Sequence, residues 1–496
     1  MDEKRMSSGE FGLLFQRFME SMNVEASRQA STLLPKLREH LGGDPTTMSI
    51  VAEEFESWEQ PNVQLALDAV TKGSGRRAEL IGIGAQGKRW GQITLSDLLS
   101  AYTMGMYGRA ITEGPVDFVN FRLEDDRVLT CVQFGLYLLT EGDTRSIIFV
   151  AGPPTPGMGP RVRMSVEIMS ARRDDAAALQ REITQAMRER NVYRGKVISL
   201  APQQYGVQSL VKFHRLPAVA RDDIVLPEGA LERIERQTIA FSAHGDALRA
   251  AGRSLKRGML LYGPPGTGKT LTVMYLATRM EGRTVILTTG LGMGYIGNIG
   301  QFARNLAPAT VIVEDVDLIA QERGLPGVQA HPLLFELLNQ LDGLADDADV
   351  LTILTTNRPD ILEPALAARP GRVDLVVELP LPDADGRARL LRLYSRGLSL
   401  DGVDLDAYVA KTDGASPAYI KELLRKAALI AAIEGSAVVA TAHLDRAMEE
   451  LAAGGELAKR IVGFGTAAYL PPAPSVGPMR PAGFPEVTVA VRRYSS

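Results

Sequence analysis

The stretch Gly263-Pro264-Pro265-Gly266-Thr267-Gly268-Lys269-Thr270 decides how the chain is read. An apolar run at 258–262 (GMLLY) precedes it, and a helical pattern at 271–280 (LTVMYLATRM) follows. Strand, glycine-rich loop and helix in that order are the setting of a phosphate-binding P-loop. Glycines let the backbone wrap tightly, so that N–H groups converge on phosphate oxygens. The helix that follows, opened by Leu271, aims its positive end at the same anion. Residues Gly263 to Leu271 are therefore expected to bind a nucleotide. Lys269 is expected to reach the outer phosphates, and the Thr270 hydroxyl to hold Mg2+.

Outward from this loop, the chain has an ordinary globular composition. It has 496 residues, of which 45% are hydrophobic and 23% charged, enough to bury sizeable cores without disulfides. Two to four domains are expected from the length. A net charge of −4 offers no global field for nucleic acid. The single Cys131 has no partner for an internal disulfide, and no Cys/His cluster has metal-binding spacing. The N-terminus lacks a signal-peptide core, and no uninterrupted apolar run reaches about 18 residues. The expectation is a cytoplasmic protein with no membrane span.

Residues 1–215 read as an α+β adaptor or assembly region. Phe11, Leu14, Phe15, Phe18 and Met19 repeat at helical spacing within 8–42. Residues 50–112 are mixed, with a helix expected over 95–106. Four apolar strands follow within 116–170, then a charged helix at 174–190 and a short strand at 196–200. From 216 to 383, apolar runs at 258–262, 284–288, 310–313, 350–355 and 373–379 alternate with helical segments. That alternation predicts a parallel sheet wrapped by helices. Residues 384–455 predict a small helical lid. Residues 456–496 read as a Pro/Gly-rich tail, with a possible added strand at 487–491. The fold class is thus α/β, a P-loop NTPase parallel sheet with a C-terminal helical lid, behind an α+β N-terminal region.

ATP hydrolysis requires more than a P-loop: a metal-holding acid, a group that orients water, and positive charge for the transition state. After the run 310–313 come Glu314 and Asp315, then Val316 and Asp317. Carboxylates at the end of a buried strand emerge at the sheet's carboxyl edge, where nucleotides bind. One can support Mg2+ and the next can polarise water. The run 350–355 leads into Asn357, whose neutral amide can hold water without competing for the metal. Arg369 and Arg372 flank a Pro-Gly turn that suits bidentate phosphate contact.

These residues resemble the AAA family of ATPases over residues 222–455. The loop has that family's GPPGTGKT, and TTNRPDILEPALAARPGRVD is similar to its second region of homology. The resemblance implies ATP and Mg2+ as ligands and a homo-oligomeric ring, a hexamer. It makes Asn357 the sensor 1 residue, and Arg369 and Arg372 the fingers that reach a neighbouring subunit's ATP. Residues 413–428 (DGASPAYIKELLRKAA) resemble the lid stretch that contacts nucleotide. The acidic pair departs from the usual Asp-Glu order. Its Glu-Asp order is similar to that of the mitochondrial ATPases that translocate a folded Rieske protein, with Glu314 on the metal side and Asp315 on the water side. Val225-Leu226 stand where Gly-Gly is common, and ALAARPGR carries one residue more than usual before the first arginine.

The family's pore loop has an aromatic-hydrophobic-glycine triplet, and Tyr295-Ile296-Gly297 stands in that place. An aromatic side chain on a glycine-rich loop can wedge between side chains of an extended polypeptide with little regard to sequence. The expected function is therefore an ATP-hydrolysing ring that unfolds or remodels protein substrates. Two alternatives stay open: a nucleic-acid-associated regulator or motor, and an ATP-binding scaffold that turns over slowly. No His-Glu-x-x-His is present, which argues against a fused zinc protease.

Overall fold

The long apolar run at 127–140 becomes strand β5 (Val128–Glu141), which is covered on both faces. Successive side chains point to opposite sides of a strand. Tyr137 and Leu139 enter one core with Ile148, Val150, Val166 and Ile168, whereas Leu136 and Leu138 enter another with Ile147, Phe149 and Met169. Double coverage explains why the run is almost continuously apolar rather than alternating.

The computed structural model describes residues 33–84, 94–104, 112–153, 163–200, 211–288, 296–317, 348–360, 373–453 and 463. The described chain divides into two units, one built from residues 1–263 and 268–379, the other from 264–267 and 380–496.

The first unit holds two sheets. The N-terminal sheet comprises β1 (Ile50–Glu56), β2 (Arg76–Ile83), β3 (Glu113–Gly114), β4 (Asp117–Arg122), β5, β6 (Thr144–Ala151) and β7 (Arg163–Ser170). It is antiparallel, in the order β1-β7-β6-β5-β2-β3, with β4 also paired to β5. The four strands expected within 116–170 are β4 to β7. β1 and β2 lie in the segment whose pattern was mixed, and they complete the sheet. Helices Gln60–Thr71 and Arg173–Glu189 cover one face through Val63, Leu67, Val70, Leu179, Ile183 and Met187. Helices Leu33–Leu41 and Leu95–Met104 supply leucines to the other core. The expected helical stretch before Leu33 and the tail strand at 487–491 lie outside the described residues.

The second sheet has the order β14-β10-β13-β12-β11-β8-β9. Its strands are β8 (Val197–Leu200), β9 (Val211–Phe213), β10 (Arg257–Tyr262), β11 (Thr284–Thr288), β12 (Ala309–Val313), β13 (Val350–Thr356) and β14 (Leu375–Glu378). All neighbours are parallel except β8 and β9. This is the expected P-loop sheet with one difference. The strand at 196–200, grouped in sequence with the N-terminal region, pairs alongside β11 through Val197, Ile198 and Ser199. Backbone hydrogen bonds at a sheet edge decide such membership, and a four-residue apolar run cannot announce its partner.

Aromatic packing joins the two sheets. Trp58 meets Phe302 edge-on with ring centroids 5.8 Å apart, and the Tyr193 hydroxyl donates to the Trp58 carbonyl at 2.6 Å. The Val192 N–H donates to Asn62 Oδ1 at 2.9 Å.

The second unit is mainly helical, as expected for residues 384–455: Ala384–Tyr394, Leu405–Lys411, Pro417–Ile433 and Thr441–Ala453, with a two-stranded pairing of Leu400–Asp401 and Val439–Ala440. Asp383, Asp404 and Ser416 cap three of these helices by accepting backbone N–H groups of the first turn. Leu390, Leu391, Ile420, Leu423, Leu424 and Leu444 are buried.

Candidate nucleotide site

Strand register brings the candidate residues to one edge. Tyr262 of β10 pairs with Thr356 of β13, Val313 of β12 pairs with Leu354, and Thr288 of β11 pairs with Val313. Gly263, Glu314 and Asn357 therefore follow the carboxyl ends of neighbouring parallel strands, where α/β sheets bind ligands.

The loop is held at both ends and at its crown. Lys269, only 6% exposed, donates from Nζ to the Gly263 carbonyl at 2.8 Å, closing the turn. Thr267 Oγ1 donates to the Pro264 carbonyl at 2.9 Å. Gly266 has φ +78°, and a Cβ there would lie 2.9 Å from both Ser416 Oγ and Ala418 Cβ, so this position requires glycine. The Ala418 N–H donates to the Gly266 carbonyl at 3.2 Å. Pro265 and Thr270 are exposed and Leu271 is half-buried. Helix Lys269–Arg279 begins directly after Gly268.

Burial lowers the Lys269 ammonium to about 8, against the opposing pull of Asp315 and Asp317. A buried cation held below its usual range gains most from an arriving anion. Asp315 moves the other way: burial raises its carboxyl above the usual carboxylate range, and the Asp317 charge adds to this. Its backbone is left-handed, with φ +49°, a region that Asp tolerates better than most side chains. Thr355 Oγ1 accepts the Asp315 N–H at 3.1 Å. Asn357 Nδ2 donates to Asp315 Oδ1 at 3.2 Å, which leaves the Asn357 carbonyl oxygen as an acceptor.

Glu314 differs from its neighbour. Its Oε1 is buried with no hydrogen-bond partner among the described residues, as is the Thr288 hydroxyl on the adjoining strand end. A buried carboxylate oxygen that accepts no donor is costly unless something else satisfies it. A hard oxygen of this kind suits Mg2+ or a water bound to it, and the exposed Thr270 hydroxyl is a second oxygen donor of the right type. The residues present thus fit the metal.

Asp317 was noted in the sequence only as part of an acidic run, and the structure gives it work. It is 5% exposed and accepts from Thr356 Oγ1 at 2.8 Å and from the Asn357 N–H at 3.2 Å. Its carboxylate thereby fixes the backbone that presents Asn357. The spacing Asp-x-Asp facing Thr-Thr-Asn was the available signal, but it became legible only once β12 and β13 were neighbours. Among the other candidates, Arg369, Arg372 and Tyr295 lie outside the described residues. Ile296 begins helix Ile296–Asn305.

Residues 259–381 match the family model described as ATPase family associated with various cellular activities (AAA). This part of the chain is an AAA ATPase domain. Similar proteins include ATP-dependent zinc metalloprotease FtsH 2 of Symbiobacterium thermophilum, 33% identical over 246 residues, which cover 47% of this chain and 41% of that protein. ATP-dependent zinc metalloprotease FtsH 3 of Sphaerobacter thermophilus is 37% identical over 231 residues, 44% of this chain and 47% of that protein. ATP-dependent zinc metalloprotease FtsH of Rhodococcus erythropolis is 34% identical over 227 residues, 43% of this chain and 26% of that protein. The chain spans less than half the length of these relatives, and the relationship is distant.

Proposed function

We propose that this chain hydrolyses ATP at the edge formed by Gly263–Leu271, Glu314, Asp315 and Asn357, and uses the turnover to remodel or unfold protein substrates as a ring of identical subunits. The observation that carries the ATPase half is the Asp315–Asn357 pair, seated with the buried Lys269 at the carboxyl edge of the parallel sheet. Lys269 neutralises the outer phosphates. Asn357 holds water through its free amide oxygen, and Asp315 accepts the proton as that water attacks the terminal phosphorus. The bond from that phosphorus to the bridging oxygen breaks, leaving ADP and inorganic phosphate. The raised carboxyl of Asp315 makes it a stronger base than an ordinary aspartate. Glu314 and Thr270 would hold Mg2+, which supplies Lewis-acid charge for the phosphates when bound. Arg369 and Arg372 would act on the site of a neighbouring subunit.

The protein-remodelling half rests on different support. The relatives are named as ATP-dependent metalloproteases, so the shared ATPase part works there beside proteolysis. The triplet Tyr295-Ile296-Gly297 suits contact with an extended polypeptide. The 496 residues contain no His-Glu-x-x-His, so the proposal concerns the motor and not peptide hydrolysis. Among the described residues no helix is long and apolar enough to cross a membrane.

The test pairs phosphate release with unfolding of a tagged fluorescent protein. Asp315→Asn is expected to abolish both activities, and Tyr295→Ala to abolish unfolding alone. Unfolding that survives Tyr295→Ala removes the threading half, and ATP turnover that survives Asp315→Asn removes the assigned base. Stimulation of turnover by DNA, in place of protein, would point to a nucleic-acid partner.

A further inference from the structure

One contact of the second unit joins residues far apart in sequence. Gly463, beyond helix Thr441–Ala453, returns to the start of helix Pro417–Ile433. Its carbonyl accepts the Ser416 N–H at 2.8 Å. Gly463 is buried and has φ +91°; a Cβ there would overlap the Ser416 hydroxyl and come within 3.2 Å of Ser416 Cβ. Only glycine fits. Ser416 is fully buried, and its hydroxyl caps the helix by accepting the Tyr419 N–H at 3.2 Å. On its other side Ser416 meets the phosphate-binding loop: a Cβ on Gly266 would lie 2.9 Å from Ser416 Oγ. The next N–H but one, that of Ala418, donates to the Gly266 carbonyl. Gly463 and Gly266 therefore both pack closely against the side chain of Ser416.

We propose that Gly463 and Ser416 are positioning residues for the phosphate-binding loop, with Gly463 clamping Ser416 and, through it, fixing Gly266. The inference rests on the nucleotide-binding reading of that loop. A loop whose N–H groups converge on phosphate loses affinity steeply when its crown shifts, because displacement of about 1 Å can cost ~100-fold in a positioned site. Gly463 is not itself a phosphate ligand. It sets where Ser416 sits, and Ser416 sets where Gly266 and the Ala418 N–H meet. Gly463 thus supports the phosphate-binding loop, although it lies nearly 200 residues after it in sequence.

The test uses the full chain, a fluorescent ATP analogue as probe, and hydrogen exchange at the Ala418 amide. Gly463→Ala is expected to weaken analogue binding by about tenfold and to speed Ala418 exchange. Gly435→Ala is the control, because Gly435 also has a left-handed backbone, φ +75°, but open space around its Cβ. It is expected to lower stability while leaving affinity and Ala418 exchange unchanged. Adding Ser416→Ala to Gly463→Ala removes the overlapping hydroxyl and should recover part of the affinity, so the two effects are non-additive. The proposal is overturned if Gly463→Ala lowers stability as Gly435→Ala does but leaves analogue affinity and Ala418 exchange unchanged. Failure of the unaltered chain to bind the analogue would instead remove the nucleotide reading; Ala418 exchange would still decide the clamp.

Discussion

The two sheets of the first unit place some of their buried polar side chains differently. In the N-terminal sheet Gln60, Gln64 and Glu167 each bond backbone, although Gln64 also bonds Asp68 and Tyr137, and Gln180 bonds Glu53. Gln60 Nε2 donates to the Val132 carbonyl at 3.0 Å, Gln64 Oε1 accepts the Val132 N–H at 2.8 Å, and Glu167 accepts the Leu95 N–H at 2.9 Å. In the P-loop sheet several polar groups at the carboxyl edge face one another: Asn357 on Asp315, Thr356 on Asp317, and Glu314 with an oxygen that no donor among the described residues reaches. Polar groups bonded to backbone hold a fold together. Groups set against each other at an open sheet edge keep capacity for a ligand. The position of the Asp315–Asn357 pair at the carboxyl edge of parallel strands, more than burial itself, marks the sheet suited to chemistry.

The largest expected effect tests the P-loop side. Asp315→Asn should lower the ATP turnover number by roughly 100- to 10,000-fold while leaving the chemical-denaturation midpoint of the N-terminal sheet unchanged. Phosphate release and intrinsic tryptophan fluorescence measure the two quantities. A loss of turnover that only mirrors a loss of folded protein would erase the distinction between the sheets.

The next test makes the opposite change. Ile148 is fully buried in the N-terminal sheet, and Ile148→Ala should destabilise that sheet by about 2–5 kcal/mol. Turnover per folded molecule should stay within about twofold. If turnover fell further, the aromatic contact of Trp58 with Phe302 would be transmitting the damage, and Phe302→Leu would show the same loss.

A smaller effect is expected from Gln64→Leu. It leaves the Val132 N–H without its acceptor, at a cost of about 1–3 kcal/mol, read by denaturant titration, again with ATP turnover unchanged. The mildest test uses the single cysteine. Cys131 is fully buried in the N-terminal sheet, and burial pushes its thiol up to about 12. The thiolate is the reactive form, so raising the pH increases its fraction, but at pH 8 little exists. Labelling by a thiol reagent should be slow in the native chain, fast in denaturant, and the same with or without ATP. ATP-dependent labelling would mean that the two sheets do not act separately.

Much of the P-loop sheet was legible from sequence for a physical reason. Parallel strands buried on both faces are short apolar runs, and the loop between β10 and helix Lys269–Arg279 needs glycines at set positions. The same periodicity found β4 to β7 of the N-terminal sheet and the lid helices. It was blind to β1 and β2: Ile50–Glu56 carries three glutamates and only one buried residue, Phe55. It could not say that Val197–Leu200 joins the P-loop sheet, since strand pairing is a long-range choice made by backbone hydrogen bonds.

The site divides along the same line. Local chemistry, meaning residue type and spacing, picked out Lys269, Thr270, Glu314, Asp315 and Asn357 as candidates for one phosphate site. Tertiary structure decided what each does to the others. Only packing buries Lys269 enough to lower its ammonium, and only the β12–β13 register lets Asp317 hold the Asn357 backbone. Only the return of Gly463 places a glycine against Ser416. Residue chemistry is written in the chain, but burial, hydrogen-bond partners and charge coupling are properties of neighbours, and neighbours distant in sequence exist only after folding.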